Sequence, residues 1–531
     1  MKNLKVKVIG TIIALILAGL YYYVTLPAIN IHASGFWFFI MIVLVIIAAL
    51  YIIRKRYGMF EIKESKVVKV LGGILIVVLA IYLIGSLLSS PIVNAKKYQK
   101  LLKVEEGEFT KDIEELSYNQ IPLLDKESAT LLGNRKMGSM IDMASQFEVD
   151  NIYSQINYKD KPVRVSPLRY ANAIKWLTNR SEGIPAYITI DMATQTTELV
   201  KLKEGIKYST SEYFNRNIYR HLRFKYPTYI FNQLSFEIDE EGTPYWVCPV
   251  KKFNIGLFGG ETVGRVVLCN AITGETTEYA IGDVPSWIDR AYSADLLIQL
   301  FDYYGTLKHG FINSVLGQKD CLVTTDGYNY LAIDDDVWVY TGVTSVSGDE
   351  SNVGFVLMNQ RTMETKFYEI EGATEYSAMD SAEGQVQNLA YKATFPLLLN
   401  IGGEPTYFIA LKDNAGLVKK YAMVNVQKYQ VVGIGDTVSE CEEEYHELLL
   451  KEGLQIVEDN RKTGSITGKI TKIAQGVVEG NSHYFIMVEG SEEIFDIPVV
   501  QFIDIIKYEV GQEISLEYKI GEKTNVVTAM K

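Results

Sequence analysis

Val266-Val-Leu-Cys-Asn270-Ala-Ile-Thr273-Gly274-Glu-Thr276-Thr-Glu-Tyr279 reads as a strand, a turn entered through Asn270 and a second strand. Asn at a turn entry accepts a hydrogen bond from its own backbone two residues on and tolerates unusual φ. The alternating β-branched residues on either side suit a sheet with one buried face. Asp283-Val-Pro285-Ser-Trp287 follows at once and predicts a helix start, with Asp283 as cap and Pro285 in the first turn. Trp287, Ala291, Ala294, Leu297, Ile298 and Phe301 then fall on one helical face, ready to lie on a sheet.

The chain repeats this pattern. Ile188-Thr-Ile190-Asp191-Met-Ala-Thr194-Gln-Thr-Thr197 precedes it, and Leu357-Met-Asn359-Gln-Arg-Thr362-Met-Glu-Thr365 follows it. A reduced copy, Met423-Val-Asn425-Val-Gln-Lys428-Tyr429, lies further on. Three copies share Asp/Asn-x-x-Thr-x-x-Thr, and the spacing between copies, roughly 65 to 90 residues, exceeds that of common solenoid repeats. Small stacked units are therefore expected. Ser209-x-x-Glu212 and Thr437-x-x-Glu440 are shaped as capping boxes for the helices of units one and four, and Ser377 stands near the start of the helix in unit three. An aromatic strand introduced by glycine precedes units two to four, as in Thr243-Pro-Tyr245-Trp-Val.

The front of the chain is different. Ile9 to Leu26, Phe36 to Ile53 and Val67 to Leu88 are apolar runs with almost no interior charge, each near the roughly 20 residues needed to cross a bilayer. Lys2, Lys5 and Lys7 precede the first run, and Arg54, Lys55, Arg56, Lys63, Lys66 and Lys69 crowd the second connection. The positive-inside rule then puts the N-terminus and that loop inside and the rest of the chain outside. Lys96, Lys97, Lys100 and Lys103 pull the other way, at the head of a long segment where the rule has least force. No Asp, Glu or His lies mid-span, so an anchor is expected rather than an ion pathway.

Behind the anchor, Lys96 to Ser117 reads as a juxtamembrane helix or stalk, and Asp125 caps a short helix ended by Gly133-Asn134. The tail, Ser465 to Lys531, offers five strands with a helix over Val500 to Tyr508 before the fourth, which resembles an OB-fold barrel. The expected organisation is α+β. A three-helix membrane anchor (1–95) is followed by a helical stalk (96–160), antiparallel sheet-plus-helix units (161–235, 236–318, 319–395 and 396–457) and a small β-barrel (463–531).

Strand, Asn, x, x, Thr-Gly-Glu, strand in unit two resembles the end of a PepSY domain, an α+β module of peptidase propeptides and bacterial exported proteins. Unit four lacks the Thr-Gly-Glu, and the stretch from Val337 to Val356 has no counterpart in a minimal module. The whole chain is similar to uncharacterised three-span membrane proteins of Gram-positive bacteria. The PepSY resemblance implies an extracytoplasmic role in binding or restraining another protein.

Chemistry leaves fewer traces. A formal charge of −12 argues against nucleic acid as the main partner. Five histidines show no HxxxH or HExxH order, no GxSxG occurs, and neither cofactor nor metal is called for. The glycine-rich Asn254-Ile-Gly256-Leu-Phe-Gly259-Gly260 lacks a following Lys-Ser/Thr and reads as a turn. Asp334, Asp335 and Asp336 with Asp349 and Glu350 gather charge without EF-hand spacing. Cys248 and Cys269 fall on neighbouring strands, where a disulfide and two buried free thiols both fit. Arg216, Arg220, Arg223 and Lys225 form a basic helix face, the candidate binding residues. The expected function is a non-enzymatic, integral membrane scaffold that binds another envelope protein or polymer, with the oligomeric state open. The alternatives are an envelope hydrolase using Asp334/Asp336 or Glu237/Asp239, and an accessory subunit of a transporter.

Overall fold

The computed structural model describes residues 2–55, 62, 64–113, 121–345, 351–454, 463–478, 481–519 and 524–530. Asp349 and Glu350 lie outside the described residues. Three helices open the chain: α1 (Lys2–Thr25), α2 (Ser34–Lys55) and α3 (Lys66–Ser89). By length and composition α2 and α3 are able to cross a membrane, whereas the described apolar stretch of α1, Ile12–Thr25, is shorter. A fourth helix, α4 (Pro91–Gln99), turns off the end of α3 with Pro91 in its first turn.

Four antiparallel sheets follow. Unit one has β1 (Ser154–Asn157), β2 (Pro162–Tyr170), β3 (Ile184–Asp191) and β4 (Thr197–Ile206). Unit two has β5 (Ser235–Ile238), β6 (Pro244–Ile255), β7 (Gly259–Asn270) and β8 (Thr276–Ala280). Unit three has β9 (Asn329–Ile333), β10 (Asp336–Ser345), β11 (Gly354–Asn359) and β12 (Thr365–Tyr368). Unit four has β13 (Leu397–Ile401), β14 (Glu404–Lys412), β15 (Val418–Asn425) and β16 (Val432–Gly435). Every unit is an up-and-down meander.

The repetition extends to single hydrogen bonds. Asp191, Asn270, Asn359 and Asn425 each accept on Oδ1 from the backbone N–H groups two and three residues on. Each pairs with the same place on the preceding strand, opposite Val163, Tyr245, Trp338 and Thr406. The residue after each donates its N–H to the carbonyl of Pro162, Pro244, Val337 or Pro405. In the three Thr-bearing copies, Thr194, Thr273 and Thr362 accept from the N–H two residues later, at 3.2 to 3.4 Å. The residue between is left-handed in all three: Gln195 (φ +60°), Gly274 (+76°) and Met363 (+67°). Only unit two uses glycine there; a Cβ on Gly274 would also sit 2.3 Å from the Tyr208 ring. In units one, three and four the outer edge strand comes in two pieces on one partner: Phe147–Val149 with β1, Leu322–Thr324 with β9, and Lys392–Ala393 with β13.

Helices lie between the sheets. The helix α6 (Ile218–Lys225) buries Ile218 and Leu222 in a core shared by units one and two. A second, α7 (Ala294–Thr306), joins units two and three through Leu297, Leu300 and Phe301. A third, α8 (Glu375–Gln385), places Ala378 and Ala382 in a core shared by units three and four. The last, α9 (Val438–Lys451), closes the row, with Tyr445 hydrogen-bonded to Thr406 at 2.8 Å. The inner sheets are therefore buried on both faces, not one. Along β6 and β7, Trp246, Cys248 and Cys269 face unit one, while Val247, Val266 and Leu268 face unit three. All four cysteines are free thiols. Cys248 stands opposite Val267 and Cys269 opposite Trp246, so the two lie diagonally across the strand pair.

Several expected helix starts fall elsewhere. In unit two, residues 281–283 form a short 3-10 turn and α7 begins only after its Ser293 cap. Trp287 and Ala291 lie in the strap between, where Tyr292 donates its N–H to Gln360 of unit three at 2.7 Å. In unit one Glu212 is no capping residue: its buried carboxylate accepts from Tyr170 Oη and Trp176 Nε1, and Asn217 caps α6. Thr374 caps α8, three residues ahead of Ser377. Thr437 caps α9 as the sequence predicts. The helix α5 (Lys126–Gly138), capped by Asp125, runs on through Gly133, where a Cβ would sit 2.4 Å from Tyr153 Oη.

Residues after α4 lie along the row of units. Glu105–Glu106 pairs in parallel with β12, and Phe109 sits edge-on to Tyr368 with ring centres 5.7 Å apart. The tail is a closed five-stranded barrel of β17 (Thr463–Val478), β18 (Asn481–Val488), β19 (Phe495–Pro498), β20 (Glu513–Lys519) and β21 (Asn525–Met530). Its order is β17-β18-β19-β21-β20, and the expected helix over 500–508 is a 3-10 turn at Ile503–Lys507.

Candidate functional site

The basic helix face does not form one open surface. The cation of Arg223 is used up on backbone: Nε donates to Leu26 O at 2.9 Å, and Nη1 donates to Tyr229 O at 2.6 Å. Leu26 directly follows α1, so this guanidinium sits at the negative end of that helix. Arg220 lies over the Tyr23 ring at 4.8 Å, and Phe224 packs beside Tyr22 and Tyr23. Arg216 points elsewhere and donates to Arg180 O. Lys225 is exposed. The structure thus brings Arg220 and Arg223 together around the end of α1 and leaves Arg216 and Lys225 apart from them. Ile29 N donating to Pro227 O at 2.7 Å continues the same seam.

A second seam was not visible among the expected site residues. The hairpin between β6 and β7 is the glycine-rich stretch, and its tip is wedged against the end of α3. Ser89 Oγ accepts from Leu257 N at 2.8 Å and Phe258 N at 3.1 Å, and donates to Gly85 O at 2.6 Å. Gly85, Gly256 and Gly259 have no space for a Cβ at this contact, which is the reason for glycine there. Phe258 meets Trp37 and Tyr82, and His32 bonds Leu257 O through Nδ1 at 2.7 Å. Tyr98 donates to Ser89 O at 2.6 Å, tying α4 to the same point. The two seams fix the row of units to the membrane-type helices from two sides. The only local trace of this in the sequence is the density of glycine around Leu257-Phe258.

A third feature lies where units one, two and three meet. Glu237 and Asp289 are 0% and 1% exposed. Asp289 N donates to Glu237 Oε2 at 3.0 Å, Ser235 Oγ donates to Glu237 Oε1 at 2.7 Å, and Asn157 N donates to Asp289 Oδ2 at 2.8 Å. Burial pushes both carboxyls up, and the Glu237 charge pushes Asp289 further. Glu237 is therefore paired with Asp289 and sealed between units, while Asp239 holds its own turn by accepting from Thr243 N at 2.7 Å. Asp336 is bound by Arg361 at 2.5 Å, and Asp334 is left-handed at a hairpin corner. Neither expected acid pair comes together across a cleft. Among the described residues no three His, Cys, Asp or Glu side chains converge as a metal-holding group. A cleft of about 250 Å³ lies between α2 and α3, lined by Leu44, Ala48, Ala49, Ile52, Leu71 and Gly72, all without charge. Compared with models of protein families and with curated proteins, the chain matches none.

Proposed function

We propose that the chain is a membrane-anchored extracytoplasmic scaffold of the cell envelope, with three spans and PepSY-like units that bind another protein or an envelope polymer. The carrying observation is the fourfold repetition of one corner and one register, with three helices each packed between neighbouring units and a fourth after the last, behind helices able to cross a membrane. The strand order of the tail, with its short turn of helix between the third and fourth strands, supports an OB-like barrel. The Lys and Arg distribution around the apolar helices supports the outside placement.

Trypsin added to intact protoplasts tests the placement. Loss of the region beyond residue 96, with a protected fragment carrying α2 and α3, is the expected result. Full protection until the membrane is lysed would place the units inside and end the envelope reading. Cross-linking in detergent-solubilised membranes tests the binding role: a specific cross-linked partner is expected, and its absence under every growth condition would oppose it.

A further inference from the structure

The segment after α7 exposes apolar side chains that belong to no core among the described residues. Ile312, Val315 and Leu316 are 75%, 56% and 81% exposed, and all three lie on or beside a single turn of π-helix, Asn313–Gly317. The turn is tightly tied. Asn313 Nδ2 donates to Lys319 O at 2.9 Å, Gln318 N donates to Asn313 O at 2.6 Å, and Ser314 Oγ donates to Phe311 O at 2.7 Å. The opposite side of the segment is anchored, because Phe311 packs on a small core of Tyr98, Ile255 and Leu307.

That small core fixes where the exposed face lies. Tyr98 Oη bonds the carbonyl of Ser89, the last residue of α3, and Ile255 immediately precedes the hairpin tip docked on Ser89. The knuckle at 311–317 therefore stands beside the end of a helix able to cross a membrane. Ile92 and Val93, on the first turn of α4, are also exposed there. Exposed lysines accompany the knuckle: Lys308 and Lys319 flank the segment, Lys96 and Lys97 lie on α4, and Lys100 ends that helix. The acid in the segment, Asp320, is bonded to His309 at 2.9 Å.

We propose that residues 311–317 form a second membrane contact, in which Ile312, Val315 and Leu316 enter the interfacial layer of the bilayer crossed by α2 and α3. The accompanying lysines meet anionic headgroups. An apolar knuckle flanked by basic residues at the end of a spanning helix fits that layer in shape and charge. The inference rests on the anchor in the proposed function, but not on which side of the membrane the units occupy.

The full chain with Leu316→Cys, labelled with the environment-sensitive fluorophore NBD, is placed in nanodiscs of phosphatidylethanolamine and phosphatidylglycerol. The four native thiols are buried and spared by the label. The same label at Leu450→Cys, exposed on α9, is the reference. Emission at 316 is expected to shift to the blue, to be quenched by nitroxide lipids and to be shielded from aqueous iodide, while emission at 450 does the reverse. Iodide quenching at 316 equal to that at 450, without lipid quenching, would overturn the proposal. Shielding from both quenchers would mean that protein covers the face, and would overturn it equally. Failure of the unlabelled chain to stay in the nanodisc is a separate result, which would remove the anchor itself and this inference with it.

Discussion

Asp289 and Glu237 are two acids buried almost completely, and their protonation has a definite effect on stability. Their ordinary values, 3.8 and 4.5, apply to the unfolded chain, and both are raised in the fold, first by burial and for Asp289 also by Glu237. The charges facing the pair come from Arg290 on the same strap and from Asp335, Asp336 and Arg361 of unit three; Asn157 of unit one and Ser235 of unit two contribute uncharged donors. For an acid raised in the native state, that state binds more protons than the unfolded one. Stability is then greatest at low pH and falls as pH rises from about 4 through the folded value. Each tenfold rise in proton affinity is worth about 1.4 kcal/mol above that window. Asp289→Asn removes one titrating group and keeps an acceptor for the Asn157 N–H. Thermal unfolding of the variant is expected to lose less Tm between pH 5 and pH 8 than the parent does. Identical pH slopes in the two proteins would show that Asp289 carries no proton-linked stability.

At the scale of elements, the Asx corners were legible because their chemistry is local: an oxygen on Asp191 or Asn270 needs only its own next three residues. The helix starts were less so. Glu212 has the right spacing for a capping box, yet Tyr170 and Trp176 claim its carboxylate, and neither is near it in sequence. Pro285 promised a helix, while the strap around it is spent on bonds to unit three through Tyr292. The double burial of the inner sheets had a sequence signal in the unbroken apolar run Val266-Val-Leu-Cys269, the mark of strands covered on both faces. Of the basic face, composition was readable, but its use in holding the end of α1 depends on contacts 197 residues apart. The shared cores also make a prediction. Leu297 on α7 is fully buried between units two and three. Leu297→Ala should destabilise by about 2–5 kcal/mol. Hydrogen exchange should quicken in β6, β7, β10 and β11 together. Faster exchange confined to unit two would mean that the units unfold independently despite the common core.

For the whole molecule, the question is how firmly the row of units is joined to the helices at its base, and Ser89 concentrates that question in one hydroxyl. Its oxygen accepts from the N–H groups of Leu257 and Phe258 while its hydrogen goes to Gly85 O, so one side chain closes both the helix end and the hairpin tip. Ser89→Ala keeps the helix and the close glycine packing but leaves two backbone donors without their acceptor. Both donors are only part-buried, so leaving them unsatisfied costs the lower part of the range of about 1–3 kcal/mol for a buried donor. The hairpin tip lies beyond Val250 and Val263, the nearest positions of β6 and β7 in the cores shared with units one and three, so the loss is expected to stay local. In detergent micelles or nanodiscs, the amides of Leu257 and Phe258 should exchange about tenfold faster or more. Proteolysis around 255–260 should rise, and the main unfolding transition of the units should move little. Unchanged exchange at both amides would mean that aromatic packing by Phe258 on Trp37 and Tyr82 fixes the hairpin without the hydroxyl. A large fall in the main transition would instead make the membrane seam part of the folding core of the row, and the rigid join between base and row would then be a condition of folding.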